Sequence, residues 1–83
     1  MITVKYFANL RSLTGKDEDQ FSMGSETTLL KLSHEISKTA PKVGEMILGE
    51  KVMVSVNLDV IALDAIIKDG DEVALLPPFS GGS

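Results

Sequence analysis

The chain has 83 residues, 43% of them hydrophobic and 24% charged, and its 8 basic and 12 acidic side chains leave a formal charge of −4. That length supports one small domain, and the acidity, with a lone arginine at Arg11 and scattered lysines, argues against nucleic acid or an anionic membrane as partner. The absence of cysteine excludes disulfides, thiolate metal sites and a cysteine nucleophile; with no basic-then-apolar leader and no apolar run near 18 residues, the expected location is cytoplasmic.

Met1–Phe7 alternates, with Ile2, Val4 and Tyr6 on one face and Thr3, Lys5 and Phe7 on the other, which predicts a strand. Ala8–Gly15 reads as a turn or single helical loop closing at the glycine, and Lys16–Gln20 as a charged, exposed stretch. Phe21–Met23 predicts the core of a second, shorter strand that Gly24 ends, joined to the first as a hairpin with a loop longer than two residues. Over Ser25–Lys38 the period becomes helical. Leu29, Leu32 and Ile36 form one stripe, Thr27 or Thr28 can cap the N-terminus, and Pro41 forbids continuation. Val43–Leu48 predicts a short helical turn that adds Met46 and Ile47 to the core. Val52–Val56 alternates again, and Asn57–Leu63 holds a turn and a short extended stretch. Asp69-Gly70-Asp71 marks a turn into the last strand, Glu72–Leu76, and Pro77-Pro78 stops sheet pairing.

The order strand, strand, helix, strand, strand predicts an α+β fold of β-grasp type. A mixed sheet of four to five strands has one main helix packed across it, so that each buries its apolar face against the other. Residues 1–76 form that domain and residues 77–83 a flexible tail.

Side-chain chemistry is sparse. His34 has no second imidazole for a metal or a triad and reads as a partly exposed helix residue. Gly15-Lys16 lacks the preceding glycine of a phosphate loop, and Asp17 stands where a Ser or Thr would hold magnesium. Asp69, Asp71 and Glu72 serve the turn, with a weak cation site as the alternative. There is no G-x-S-x-G elbow and no carboxylate pair set for acid–base work. No bound cofactor or metal is expected, and the domain alone is not expected to turn over a substrate.

The carboxyl end is more informative. Pro77 and Pro78 fix φ and remove donors, which pushes the chain extended and away from the sheet. The segment Pro77-Pro78-Phe79-Ser80-Gly81-Gly82 reaches roughly 20 Å at about 3.3 Å per residue. Gly81 and Gly82 place no side chain beside the acyl carbon, so the tip can thread a narrow tunnel. The plain alternative is a frayed terminus.

Val4–Arg11 (VKYFANLR), Val56-Asn57 and above all Asp69–Gly82 (DGDEVALLPPFSGG) resemble the molybdopterin synthase small subunits, MoaD-type sulfur carriers of the ThiS/ubiquitin-like family, over essentially the whole length. The resemblance implies that Gly82 is the acyl carrier and Gly81 its steric partner. An ATP-using, ubiquitin-activating-type enzyme adenylates the terminal carboxylate, and sulfur transfer gives a thiocarboxylate. The large synthase subunit then accepts the tail in a heterotetramer, and the sulfur passes to cyclic pyranopterin monophosphate to build molybdopterin. ATP and the catalytic side chains belong to those partners. Ser83 departs from the pattern, since such carriers end at the second glycine. Trimming to expose Gly82, an expression remnant and a chain that no longer carries sulfur are the three readings open. Thiamine thiazole synthesis, tRNA thiolation and protein tagging use the same tail chemistry, and a non-catalytic interaction module with a passive tail is the reading from another class.

Strand alternation also predicts an interface. Phe7, Met53, Ala74 and Leu76 point away from the helix, and an aromatic with aliphatic neighbours on a sheet face fits a partner surface. The alternative is partial cover by the 57–63 loop. By the resemblance this face docks both activating enzyme and synthase, with Arg11, Val60 and Leu76 at family contact positions. The acidic Asp69, Asp71 and Glu72, just upstream of the tail in sequence, suit a basic rim on the partner.

Overall fold

The computed structural model describes residues 1–77. In chain order these form β1 (Ile2–Tyr6), α1 (Asn9–Thr14), β2 (Glu18–Phe21), β3 (Glu26–Thr28), α2 (Leu29–Thr39), α3 (Pro41–Leu48), β4 (Met53–Val56), β5 (Asp59–Val60), β6 (Ile66–Lys68) and β7 (Glu72–Leu76). The main sheet has 5 strands in the order β2-β1-β7-β4-β5, and β3 pairs with β6 in a separate two-stranded ribbon. The first and last strands run parallel at the centre, Val4 beside Val73 and Tyr6 beside Leu75, while β2 and β4 pair antiparallel on either side. This mixed sheet with helices across one face is the β-grasp that the sequence predicts.

Alternation places the core. Ile2, Val4, Tyr6, Val54, Val56, Val73 and Leu75 are buried on one sheet face, against Leu29, Leu32 and Ile36 of α2 and Val43 and Ile47 of α3. Thr28 caps α2, its hydroxyl accepting from the Lys31 N–H at 3.2 Å. Two further N–H groups of the first turn are satisfied by the 63–65 loop: Leu29 N donates to Ala65 O and Leu30 N to Leu63 O. Pro41 ends α2 and opens α3, the first-turn position where its missing N–H costs nothing. Gly44 lets α3 lie close on α2, since a Cβ there would fall 1.7 Å from Ser37 Oγ.

Four expectations are corrected. The second strand is Glu18–Phe21 rather than Phe21–Met23, with Phe21 opposite Ile2 and Glu18 opposite Lys5. β2 is an edge strand, where charged side chains remain solvated, so its composition hides it. Residues 26–28, within the stretch read as helical in period, are strand, and the helix begins at Leu29 directly after its predicted Thr28 cap. Residues 41–48 form a complete second helix instead of a turn, so two helices cover the sheet. Met46 is only half-buried, while Val43 and Gly44 join Ile47 in the core.

Candidate functional site: the outer sheet face and the chain exit

The face of the sheet turned away from the helices is graded. At its middle the register sets Lys5 beside Ala74, Ala74 beside Ser55, and Ser55 beside Val60. One step toward the end of β7, Met53 lies opposite Leu76 and Phe7 continues the β1 ladder, its N–H donating to Leu75 O at 3.2 Å. Phe7 (42% exposed), Met53 (40%), Leu76 (36%) and Val60 (66%) therefore form an apolar band where the chain leaves the sheet. Ala74, half-buried, lies between them. Toward the other end the face turns polar, with Thr3 beside Glu72 and Lys5 Nζ 3.5 Å from Glu72 Oε2.

Two clefts flank this band. One, of about 130 Å³, is lined by Met53, Val60, Ile61, Leu63, Leu29 and Ile47, and there Ile61 and Leu63 pack against the core. The other, of about 190 Å³, lies between Phe7, Arg11, Lys5, Asp17 and Glu18. Arg11 is exposed on α1, with one guanidinium nitrogen 4.0 Å from Asp17 Oδ1. So weak an exposed pair leaves the cation free for an external carboxylate. The entry to α1 is a tight turn in which Leu10 N donates to Phe7 O at 3.1 Å, with Ala8 at φ 53. An alanine in that region is strained, and the turn fixes where Phe7 and Arg11 stand relative to each other.

Of the residues singled out in the sequence, Phe7, Met53, Val60, Ala74 and Leu76 come together on one face, with Arg11 at its margin. Pro77 is half-buried at the exit. Pro78, Phe79, Ser80, Gly81 and Gly82, with Ser83, lie outside the described residues. The acidic turn stands elsewhere: β7 runs from Glu72 to Leu76, so Glu72 sits roughly 13 Å from the exit at about 3.3 Å per residue, and Asp69 and Asp71 lie beyond it at the far end of the strand. The basic partner rim expected beside the tail has its acidic counterpart there instead. Gly70 at φ 91 makes this turn, Asp71 Oδ2 accepts from Lys68 N at 2.9 Å, and Asp69 pairs with the N-terminal ammonium. His34 is exposed on α2. Among the described residues no three His, Asp or Glu side chains gather as a metal cluster, and no helix is long and apolar enough to cross a membrane.

The turn and short extended stretch predicted in Asn57–Leu63 are the β4–β5 hairpin, which turns on Asn57 and Leu58. Both residues stand at positive φ, and that handedness at Leu58 escapes the sequence reading, although an Asn-x pair between two extended stretches is the signal that could have found it.

The ThiS family model matches residues 4–82. The molybdopterin synthase sulfur carrier subunit of Haemophilus influenzae is 30% identical over 82 residues, 99% of this chain and 100% of that protein. Its counterpart in Arabidopsis thaliana is 33% identical over 98% of this chain and 82% of its own. Among solved structures, the small archaeal modifier protein 1 of Methanosarcina acetivorans superposes with a TM-score of 0.77 at 28% identity, covering 98% of this chain and 95% of that one. A match spanning the β-grasp and the glycine-ended tail together establishes that this chain belongs to the ThiS family.

Proposed function

We propose that the chain is the sulfur carrier subunit of a molybdopterin synthase, a co-substrate protein whose Gly82 acyl carbon carries the sulfur. The observation that carries this reading is the placement of the chain exit. The central strand β7 delivers Leu76 and Pro77 out of the sheet at the apolar end of an uncovered face, beside Phe7, Met53 and Arg11. A protein docked on that face receives the arm at a fixed place. Full-length relatives that bear the sulfur carrier name support the pterin use.

The chemistry follows from the weakness of a carboxylate as an electrophile. A partner adenylating enzyme joins the Gly82 carboxylate to AMP with release of pyrophosphate from ATP. A sulfur donor then displaces AMP, leaving the thiocarboxylate. In the large synthase subunit the thiocarboxylate sulfur bonds to a pterin carbon as an oxygen leaving group departs from that carbon. Water then hydrolyses the acyl–sulfur bond, so that the sulfur stays on the pterin and the Gly82 carboxylate returns. The carrier's own contribution is the docking face, the Pro77-Pro78 exit, and a tip too narrow to exclude itself from a tunnel. Two carriers and two large subunits make the heterotetramer.

The test is the intact mass of a chain ending at Gly82 after incubation with the adenylating enzyme, ATP and a sulfur donor. The expected result is one oxygen replaced by sulfur, and no such change while Ser83 remains attached. Absence of any thiocarboxylate from the Gly82-ended chain overturns the reading. The likeness to small archaeal modifier protein 1 favours a second use, attachment of the same acyl group to lysines; conjugates in a lysate supplied with the activated carrier distinguish it.

A further inference from the structure

The tip of the β4–β5 hairpin carries a residue that neither the core nor the tail employs. Asn57 and Leu58 join Val56 to Asp59 in a two-residue turn, at φ 49 and φ 77. Turns of that handedness favour Asn at the first position and Gly at the second, because a Cβ crowds the backbone there. Leucine occupies the second position, and its side chain is 97% exposed. The conformation is strained and the apolar surface lies in water, with no packing among the described residues to offset either.

The turn is nevertheless held rigidly. Asn57 N donates to Glu72 O at 3.1 Å, Asn57 Nδ2 donates to Asp71 Oδ1 at 3.2 Å, and Glu72 N donates to Asn57 Oδ1 at 3.4 Å. A large apolar side chain on a short, clamped turn has little freedom to lose on binding, which is the property of an interface anchor.

We propose that Leu58 is a docking anchor that enters an apolar pocket on the large synthase subunit, with basic side chains at the pocket rim facing Asp59 and Asp71; the proposal rests on the sulfur carrier reading above. Two observations support this occupant. Val60, two residues beyond Leu58, lies on the outer face beside Ser55, so the tip borders the polar end of the face already described. Asp59 at the turn and Asp71 and Glu72 beside Asn57 make this end of the sheet acidic, so a complementary partner surface is basic.

Leu58→Asn supplies a residue that tolerates the left-handed turn and removes the apolar bulk, while Leu58→Met keeps the bulk. Thermal unfolding of each chain, calorimetric titration with the large subunit, and thiocarboxylate loading by the activating enzyme are the measurements. For Leu58→Asn the expected Tm rises by about 2–6 °C. Its Kd for the large subunit rises about tenfold or more, while loading is unchanged; Leu58→Met keeps the wild-type Kd within about twofold. An unchanged Kd, a lowered Tm, a loss confined to the loading step, or a Leu58-dependent self-association of the carrier each overturns the proposal. If the wild-type chain fails to bind the large subunit, the sulfur carrier reading falls with it. If the wild type binds and Leu58→Asn binds equally, only the anchor falls.

Discussion

Tyr6 shows how one side chain ties the sheet edge to its centre. It is buried, its hydroxyl donates to Asp19 Oδ2 at 3.0 Å, and Lys16 Nζ lies 2.9 Å from the other Asp19 oxygen. Burial, then the hydrogen bond to Asp19 and that carboxylate's charge, hold the phenol well above its usual value. The unfolded chain releases this proton near pH 10 and the folded chain does not, so the contribution to stability is fully present below about pH 10 and is lost as pH rises beyond it. Because the chain has 1 Tyr, phenolate absorbance reports this group alone. It is expected to appear only well above pH 10, together with unfolding; a titration at the ordinary tyrosine value in the folded protein contradicts the assignment. Tyr6→Phe removes the steep alkaline loss and costs about 1 kcal/mol at neutral pH, read from denaturant unfolding.

At the level of elements, the contact between α2 and α3 depends on the absence of a side chain. A Cβ on residue 44 would also fall 3.0 Å from the Ser33 carbonyl oxygen, which the helix cannot move. Turning Ser37 aside forfeits its 2.9 Å bond to that same oxygen. Gly44→Ala is therefore expected to destabilise by about 1–3 kcal/mol through overpacking, despite its better helix propensity, and an unchanged Tm contradicts this. Nothing in PKVGEMIL announces this contact, because the sequence carries periodicity and not the distance between helices. The elements that were legible are those whose burial sorts residues by alternation or by helical stripe: β1, α2, β4 and β7. β3 and β6 were not, since Glu26-Thr27-Thr28 has no apolar alternation and its pairing with Ile66–Lys68 spans the whole helical layer. The outer face of the candidate site was legible for the reason β1 and β7 were, as the complement of the core face. The handedness at Leu58 was not, because leucine's own preference points elsewhere.

Across the whole molecule, the outer face and the core are separable. Met53 and Leu76 lie on the outer face of paired strands and outside the core, so Met53→Asp or Leu76→Asp is expected to lower stability by only about 1 kcal/mol. Either substitution places a charge in the apolar band and is expected to weaken binding to the large subunit about tenfold or more by calorimetry. Equal losses of Tm and of affinity contradict the separation. The parallel pairing of β1 with β7 has a consequence for synthesis. The first strand made waits for the last, and Val73 and Leu75 fill the middle of the core. A nascent chain therefore cannot complete its sheet until translation has passed residue 76 and that stretch has cleared the ribosome. Abortive products lacking this final strand stay open to proteolysis, which makes native shape a certificate that the ribosome has reached the threshold of the Gly81-Gly82 segment.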